Sequence, residues 1–216
     1  MLRPPRVAGA PARVHGLTII ELLVTVTVLG LLLLAIMPSV TEWLRSTEVR
    51  NAAESIVAGL QKTRAEAVRR NQPVLFSLVS TVPEQPGQLG SDCALSATSA
   101  SWVVSLVSPE GKCDVAPSET TAPQIIEKHA QGDGARSAVI ATFLDKTCKT
   151  TTTTTQVKFD SFGRPSGEAT ALRCFKVTHA SGSATTIQIE LDAGGGVRSC
   201  LPELKVANDP RLCTTP

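Results

Sequence analysis

The chain has no tyrosine, and its five phenylalanines and two tryptophans make up only 3% of 216 residues. No aromatic cluster is available to stack on bases, so no sequence preference toward DNA is expected. The core must come mainly from Val, Ile, Leu and Ala, a composition that suits a long helix on a modest sheet. Histidine is nearly as scarce. Beyond His15, only His129 and His179 remain, and neither sits in a nucleophile or metal motif. No CxxC pair and no Cys/His cluster has zinc spacing. Gly194-Gly195-Gly196 lacks the GK[ST] of a phosphate loop. The sequence therefore implies no catalytic residue, no metal and no cofactor: a protein that is not an enzyme.

A one-signed charge is missing too. The formal charge is +2, from 21 Lys+Arg and 19 Asp+Glu. Arg3, Arg6 and Arg13 lie in the first 16 residues, which hold no acid. Without that segment the balance is 18 basic against 19 acidic residues, near −1. A global basic field for nucleic acid is absent.

What is present is a long apolar run, Leu17–Met37. As a helix it would be about 31 Å long, enough for a bilayer core. The preceding arginines would stay cytoplasmic. The run is too long for a secretory signal and no small-x-small site follows it. A plain anchor does not account for Glu21, because a carboxylate in hydrocarbon costs about 2.5–3.5 kcal/mol and needs a partner or a function. Pro38 ends the run and bends or interrupts a helix there.

From Ser39 to Asn71 the pattern is amphipathic. Val40, Trp43, Leu44, Val49, Ala53, Ile56, Leu60 and Ala67 recur at three- and four-residue spacing and are expected on one packed face. Mixed charges, Glu66 and Arg69 among them, are expected to be solvated. Asn71 and Pro73 stop the helix. Strands are expected at 73–79, 101–107, 125–128, 138–144 and 157–159, then a hairpin of 172–178 and 185–191. Thr150–Thr155 reads as strand or loop.

The six cysteines, Cys93, Cys113, Cys148, Cys174, Cys200 and Cys213, all lie in the C-terminal part. An even number fits disulfides in an oxidising compartment; buried free thiols in a cytosolic protein are the alternative. Cys200 and Cys213 bracket a short tail, whose closure contributes about 3 kcal/mol in the chain-entropy account. We expect that pair, and set Cys93–Cys113 and Cys148–Cys174 beside it for the rest.

The string Gly16-Leu17-Thr18-Ile19-Ile20-Glu21-Leu22 resembles the cleavage motif of type IV prepilins and pseudopilins. The resemblance implies that a prepilin peptidase cuts after Gly16 and methylates the amine of Leu17. It also implies that Glu21 pairs with the free amine of a neighbouring subunit. A cationic amine beside a carboxylate neutralises two charges in lipid. Three further segments narrow the resemblance to minor subunits of the FimT/GspH class. They are Leu60–Val74, Phe159-Asp160-Ser161-Phe162-Gly163-Arg164, and Gly195–Cys200 with Asp209–Cys213.

The expectation is an α+β, pilin-like fold: a long N-terminal helix packed on an antiparallel sheet domain. It comprises a leader (1–16), a transmembrane helix (17–38), an amphipathic helix (39–72) and a periplasmic β-rich domain (73–216). The resemblance implies a minor pilin of a type IV pilus or pilus-like filament, held by one pass in the bacterial inner membrane among major and minor pilins. A minor pseudopilin of a type II secretion system is the alternative. Some FimT-type members bind DNA through a tail Gly-Arg-x-Arg. Here Gly196 replaces the first arginine and only Arg198 matches, so DNA is a third and weaker reading, with Arg164 and Arg211 as further contacts.

Overall fold

The computed structural model describes residues 18–85, 87–166, 172–182, 185–206 and 208–214. Gly16 and Leu17 lie outside the described residues. The chain divides into two compact units, residues 1–41 and 42–216.

In the first unit the described chain is the start of helix α1 (Ile19–Arg70). Thr18 caps it: the Glu21 N–H donates to Thr18 Oγ1 at 3.2 Å. Threonine followed three residues later by glutamate is a capping-box pattern. A carboxylate in the first turn also suits the positive end of the helix dipole. The helix bounds Ile19–Arg70 include Pro38. Taken singly, no described helix is long and apolar enough to cross a membrane. Ile19–Leu34 and Ser39–Arg70 meet that test only together, across a break. A proline inside a helix removes a backbone hydrogen bond, which accounts for a break at this place.

In the second unit α1 stops at Arg70. Asn71 takes a left-handed φ of 51°, its N–H bonds Val68 O, and the Gln72 N–H bonds Ala67 O, both at 3.2 Å. This pair of bonds is the Schellman arrangement, which asparagine tolerates at this position. The expected packed face needs correction. Val49, Ala53, Ile56, Leu60 and Ala67 are buried, but Trp43 and Leu44 are 66% and 50% exposed; Val40, which belongs to the first unit, is 45% exposed. At about 3.6 residues per turn the two groups lie roughly half a turn apart. What reads as one periodic face is two opposed stripes. Glu66, expected in solvent, is 8% exposed.

Among the described residues ten strands follow: β1 (Val74–Val79), β2 (Ser101–Ser105), β3 (Ile125–His129), β4 (Ala138–Phe143), β5 (Thr151–Thr152), β6 (Gln156–Phe159), β7 (Pro165–Ser166), β8 (Cys174–His179), β9 (Ile187–Leu191) and β10 (Val197–Cys200). They form two five-stranded sheets, ordered β3-β2-β1-β6-β7 and β10-β9-β8-β4-β5. Every strand pairing is antiparallel. The fold is α+β. Of the threonine run, only Thr151–Thr152 is strand.

The inner stripe of α1 and both sheets share one core. The scarce aromatics are concentrated there. Phe76, Phe159 and Phe175 are fully buried there and Trp102 nearly so. Phe76 lies 5.7 Å from Trp102 and meets Phe175 edge-on at 6.1 Å. Each such ring contributes about 1.5–3 kcal/mol by leaving water. Gly59 admits them to the helix: a Cβ there would sit 2.7 Å from the Phe76 ring. Trp102 Nε1–H donates to Ser55 Oγ at 2.7 Å. The other face of the first sheet is covered by a smaller cluster around the Cys93–Cys113 bridge, with Val79, Val103 and Ile125.

Candidate functional site

The residues that carry the sequence resemblance assemble at two places in the second unit. The first is the junction of two turns with the end of α1. The β6–β7 turn is organised by Asp160, whose Oδ1 accepts the N–H groups of Phe162 and Arg164 at 2.9 Å. These backbone donors, that of Arg164 foremost, hold the Asp160 carboxyl below its ordinary pKa. Arg164 pairs with Asp160 Oδ2 at 3.3 Å and stacks its guanidinium 5.1 Å over the Phe162 ring.

The β9–β10 turn closes from Gly195 N–H to Asp192 O at 2.9 Å. Asp192 is ion-paired with Lys146. Gly163 and Gly195 both have positive φ, 72° and 81°. Here glycine is required twice over: a Cβ on Gly195 would overlap the Gly163 carbonyl oxygen and crowd Arg64 Nε. The turns thus touch backbone to backbone, under the Arg64 side chain. Beside them a shallow groove of about 740 Å³ runs along Ala65, Val68 and Val197. The buried Glu66 anchors this end of the helix, accepting from Arg69 Nη2 at 2.7 Å and Arg70 Nε at 2.9 Å. The Arg69 hydrogen bond, more than any other contact, lowers the Glu66 pKa against the opposing effect of burial.

The second place is the C-terminal tail. Glu190 on β9 is 1% exposed. Its Oε2 accepts from Arg198 Nε and Nη2 at 2.9 and 2.7 Å, and from Thr214 Oγ1 at 2.7 Å. Its Oε1 accepts the Thr214 N–H at 2.6 Å. Arg198 Nη1 also donates to Leu212 O at 3.3 Å. Cys200 and Cys213 are joined in a disulfide, and a parallel bridge links Leu201 with Leu212. Glu190 with the two sulfurs is a three-ligand group within metal-binding reach. The sulfurs are bonded to each other and the carboxylate is filled by Arg198 and Thr214, so the trio works as a clasp on the tail.

The remaining cysteines pair as Cys93–Cys113 and Cys148–Cys174. The three arginines put forward for DNA each meet a carboxylate. Arg198 binds Glu190, Arg164 binds Asp160, and Arg211 binds Asp209 at 2.9 Å. The Arg211 hydrogen bond lowers the Asp209 pKa to about 2. Arg164 and Arg198 belong to different turns and strands, each committed locally. Sequence reasoning missed Glu190, which looks like an ordinary outward residue near a strand end. It also missed Arg64, whose role depends on two distant glycines.

Two families match. Residues 11–37 match the prokaryotic N-terminal methylation motif, and residues 52–195 match the family described as type II transport protein GspH. The second match spans the region 80–150, where the sequence alone offers no resemblance, and ends before Arg198. No curated protein sequence matches the chain. Among solved structures, the type IV minor pilin FimU of Pseudomonas aeruginosa PAO1 is similar in two crystal forms. One has 14% identity over 69% of this chain and 90% of FimU, the other 17% over 70% and 87%, each with a TM-score of 0.40. A methylation motif leads into a domain match that covers well over half of the chain, and the protein belongs to the GspH family of type IV pilin-like subunits.

Proposed function

We propose that the protein is a minor pilin or pseudopilin, made as a precursor, cut after Gly16, methylated at Leu17 and built into a type IV pilus or type II secretion filament. The observation that carries this reading is the order of the two matches: a methylation motif at 11–37, then the GspH domain from residue 52. The subunit is membrane-anchored. A single pass through the inner membrane, with residues beyond Pro38 in the periplasm, follows from the arginines before the apolar run. Three disulfides are consistent with that compartment. Glu21 sits in the first turn of α1, close in sequence to the amine that cleavage would create. Its proposed partner is the amine of a neighbouring subunit. A prepilin peptidase and other pilins or pseudopilins are the expected partners. The role is structural rather than catalytic.

The DNA reading is not carried forward, because Arg198, Arg164 and Arg211 are all engaged with carboxylates. Processing tests the main reading. Protein recovered from membranes or filaments should have the mass of a chain that starts at N-methylated Leu17. Gly16→Val should accumulate as full-length precursor. Retention of Met1 in assembled subunits would overturn the proposal. Adjacent genes, for minor pilins or for secretion components, would distinguish the two filament types.

A further inference from the structure

We propose that the groove beside the end of α1 receives an acidic, amphipathic helix of a different subunit of the filament. The inference rests on the filament-subunit reading above and adds to it a docking site and the chemistry of its occupant. The floor of the groove is apolar, made by Ala65, Val68 and Val197, and Val68 is 52% exposed. The lining side chains include two arginines, Arg64 and Arg69, and no acid. That local excess of positive charge contrasts with a chain of 21 Lys+Arg and 19 Asp+Glu. At about 3.6 residues per turn, Arg64 and Arg69 bracket Val68 and Ala65 on the helix surface. A cationic rim around an apolar floor is complementary to a helix face that carries carboxylates beside apolar side chains.

Arg64 carries the choice of occupant. Among the described residues its guanidinium meets no carboxylate, whereas Arg69, Arg70, Arg164 and Arg198 each do. Its place is nevertheless fixed by packing. Arg64 Nε lies 3.1 and 3.2 Å from where Cβ atoms would sit on Gly195 and Gly163, so the side chain lies across the contact of the two turns. A cation already positioned, with no acid of its own, loses little freedom when a carboxylate arrives. Arg69 is bonded to Glu66 on one side, and its side chain is still 59% exposed. The two arginines are separated by a helical rise of about 7.5 Å. Carboxylates four residues apart on a partner helix span a similar distance, about 6 Å. A phosphate backbone would supply the negative charge but no apolar surface to cover Val68 and Val197.

The test uses Arg64→Lys in the full chain, expressed in its native host where the other subunits are present. Immunoblots of membranes and sheared filaments first establish that the subunit is there. Both fractions are then treated with a water-soluble carbodiimide, which condenses an amine with a carboxylate in contact with it to give an amide. Peptide mass spectrometry locates the bonds. The amine introduced at position 64 should be joined to an Asp or Glu on a helix of a different pilin-like subunit. Adding Val68→Gln makes the floor polar and should cut that adduct at least threefold, with the adducts of Lys112, beside the Cys93–Cys113 bridge, unchanged. Bonds from position 64 only to carboxylates of this chain, or none while Lys112 reacts, would overturn the proposal and leave the filament reading intact. So would an adduct that Val68→Gln leaves unchanged. A mobility shift of duplex DNA by the full chain that Arg64→Ala abolishes would also overturn it, and assign the groove to nucleic acid. Absence of the subunit from both fractions would remove the filament reading and this proposal with it.

Discussion

Replacing Arg198 with alanine separates a structural arginine from a ligand-binding one. In the native fold its guanidinium makes two hydrogen bonds to Glu190 Oε2, at 2.9 and 2.7 Å. Glu190 is 1% exposed, so the carboxylate cannot fall back on water. Removing one partner of a buried ion pair costs about 3–5 kcal/mol, because the remaining charge stays desolvated. Two features reduce that figure here. The Arg198 side chain is 43% exposed, and Thr214 still donates through both its N–H and its hydroxyl. About 2–3 kcal/mol is the expected loss. For a domain of this size each kcal/mol moves Tm by about 2–4 °C, so the drop should be about 5–10 °C. The assay is thermal unfolding of the full chain in detergent by circular dichroism, with disulfides intact. Glu190→Gln in the Arg198→Ala background removes the stranded charge and should recover part of the loss, giving a clear coupling in the double-mutant cycle. A Tm within about 1 °C of wild type for Arg198→Ala would refute the argument and return Arg198 to the pool of free surface cations.

Gly195→Ala should cost about 3 kcal/mol by forcing a left-handed alanine against the Gly163 carbonyl. Gly194→Ala, with open space around it, should stay within about 0.5 kcal/mol; denaturant melts compare the two. The Glu66 pKa is depressed in the fold, so its contribution is present above its ordinary value of 4.5 and is lost as pH falls through the folded value. Glu66→Gln should therefore lower stability at neutral pH and flatten the acid limb of a Tm-against-pH profile. Glu21→Ala should still insert and be cut, since it removes a charge from apolar sequence, but should be depleted from sheared filaments in an immunoblot; normal incorporation would remove the pairing role.

Features that are local in sequence were legible. The string Gly16–Leu22 is contiguous, so its resemblance needs no fold. The stop of α1 at Arg70 follows from Asn71 and Pro73, and most strands lie within two residues of the runs that announce them. Features that depend on direction or distance were not. Spacing by threes and fours does not reveal on which side of the helix a stripe lies, and the Trp43 stripe merged with the core stripe. Phe162 and Gly195 stand out individually, yet only the fold brings their turns together. The Glu190 clasp was invisible because its partners come 8 and 24 residues later, across a turn and a disulfide loop.

The position of Thr214 has a consequence for how the domain comes together. Two of the donors that make burial of the Glu190 carboxylate tolerable come from a residue 24 positions further along the chain. Strand β9 therefore reaches its final stability only once the segment past Cys213 has docked on it. A chain clipped before Thr214 would carry the complete GspH-matched region and still hold a poorly satisfied charge in its core.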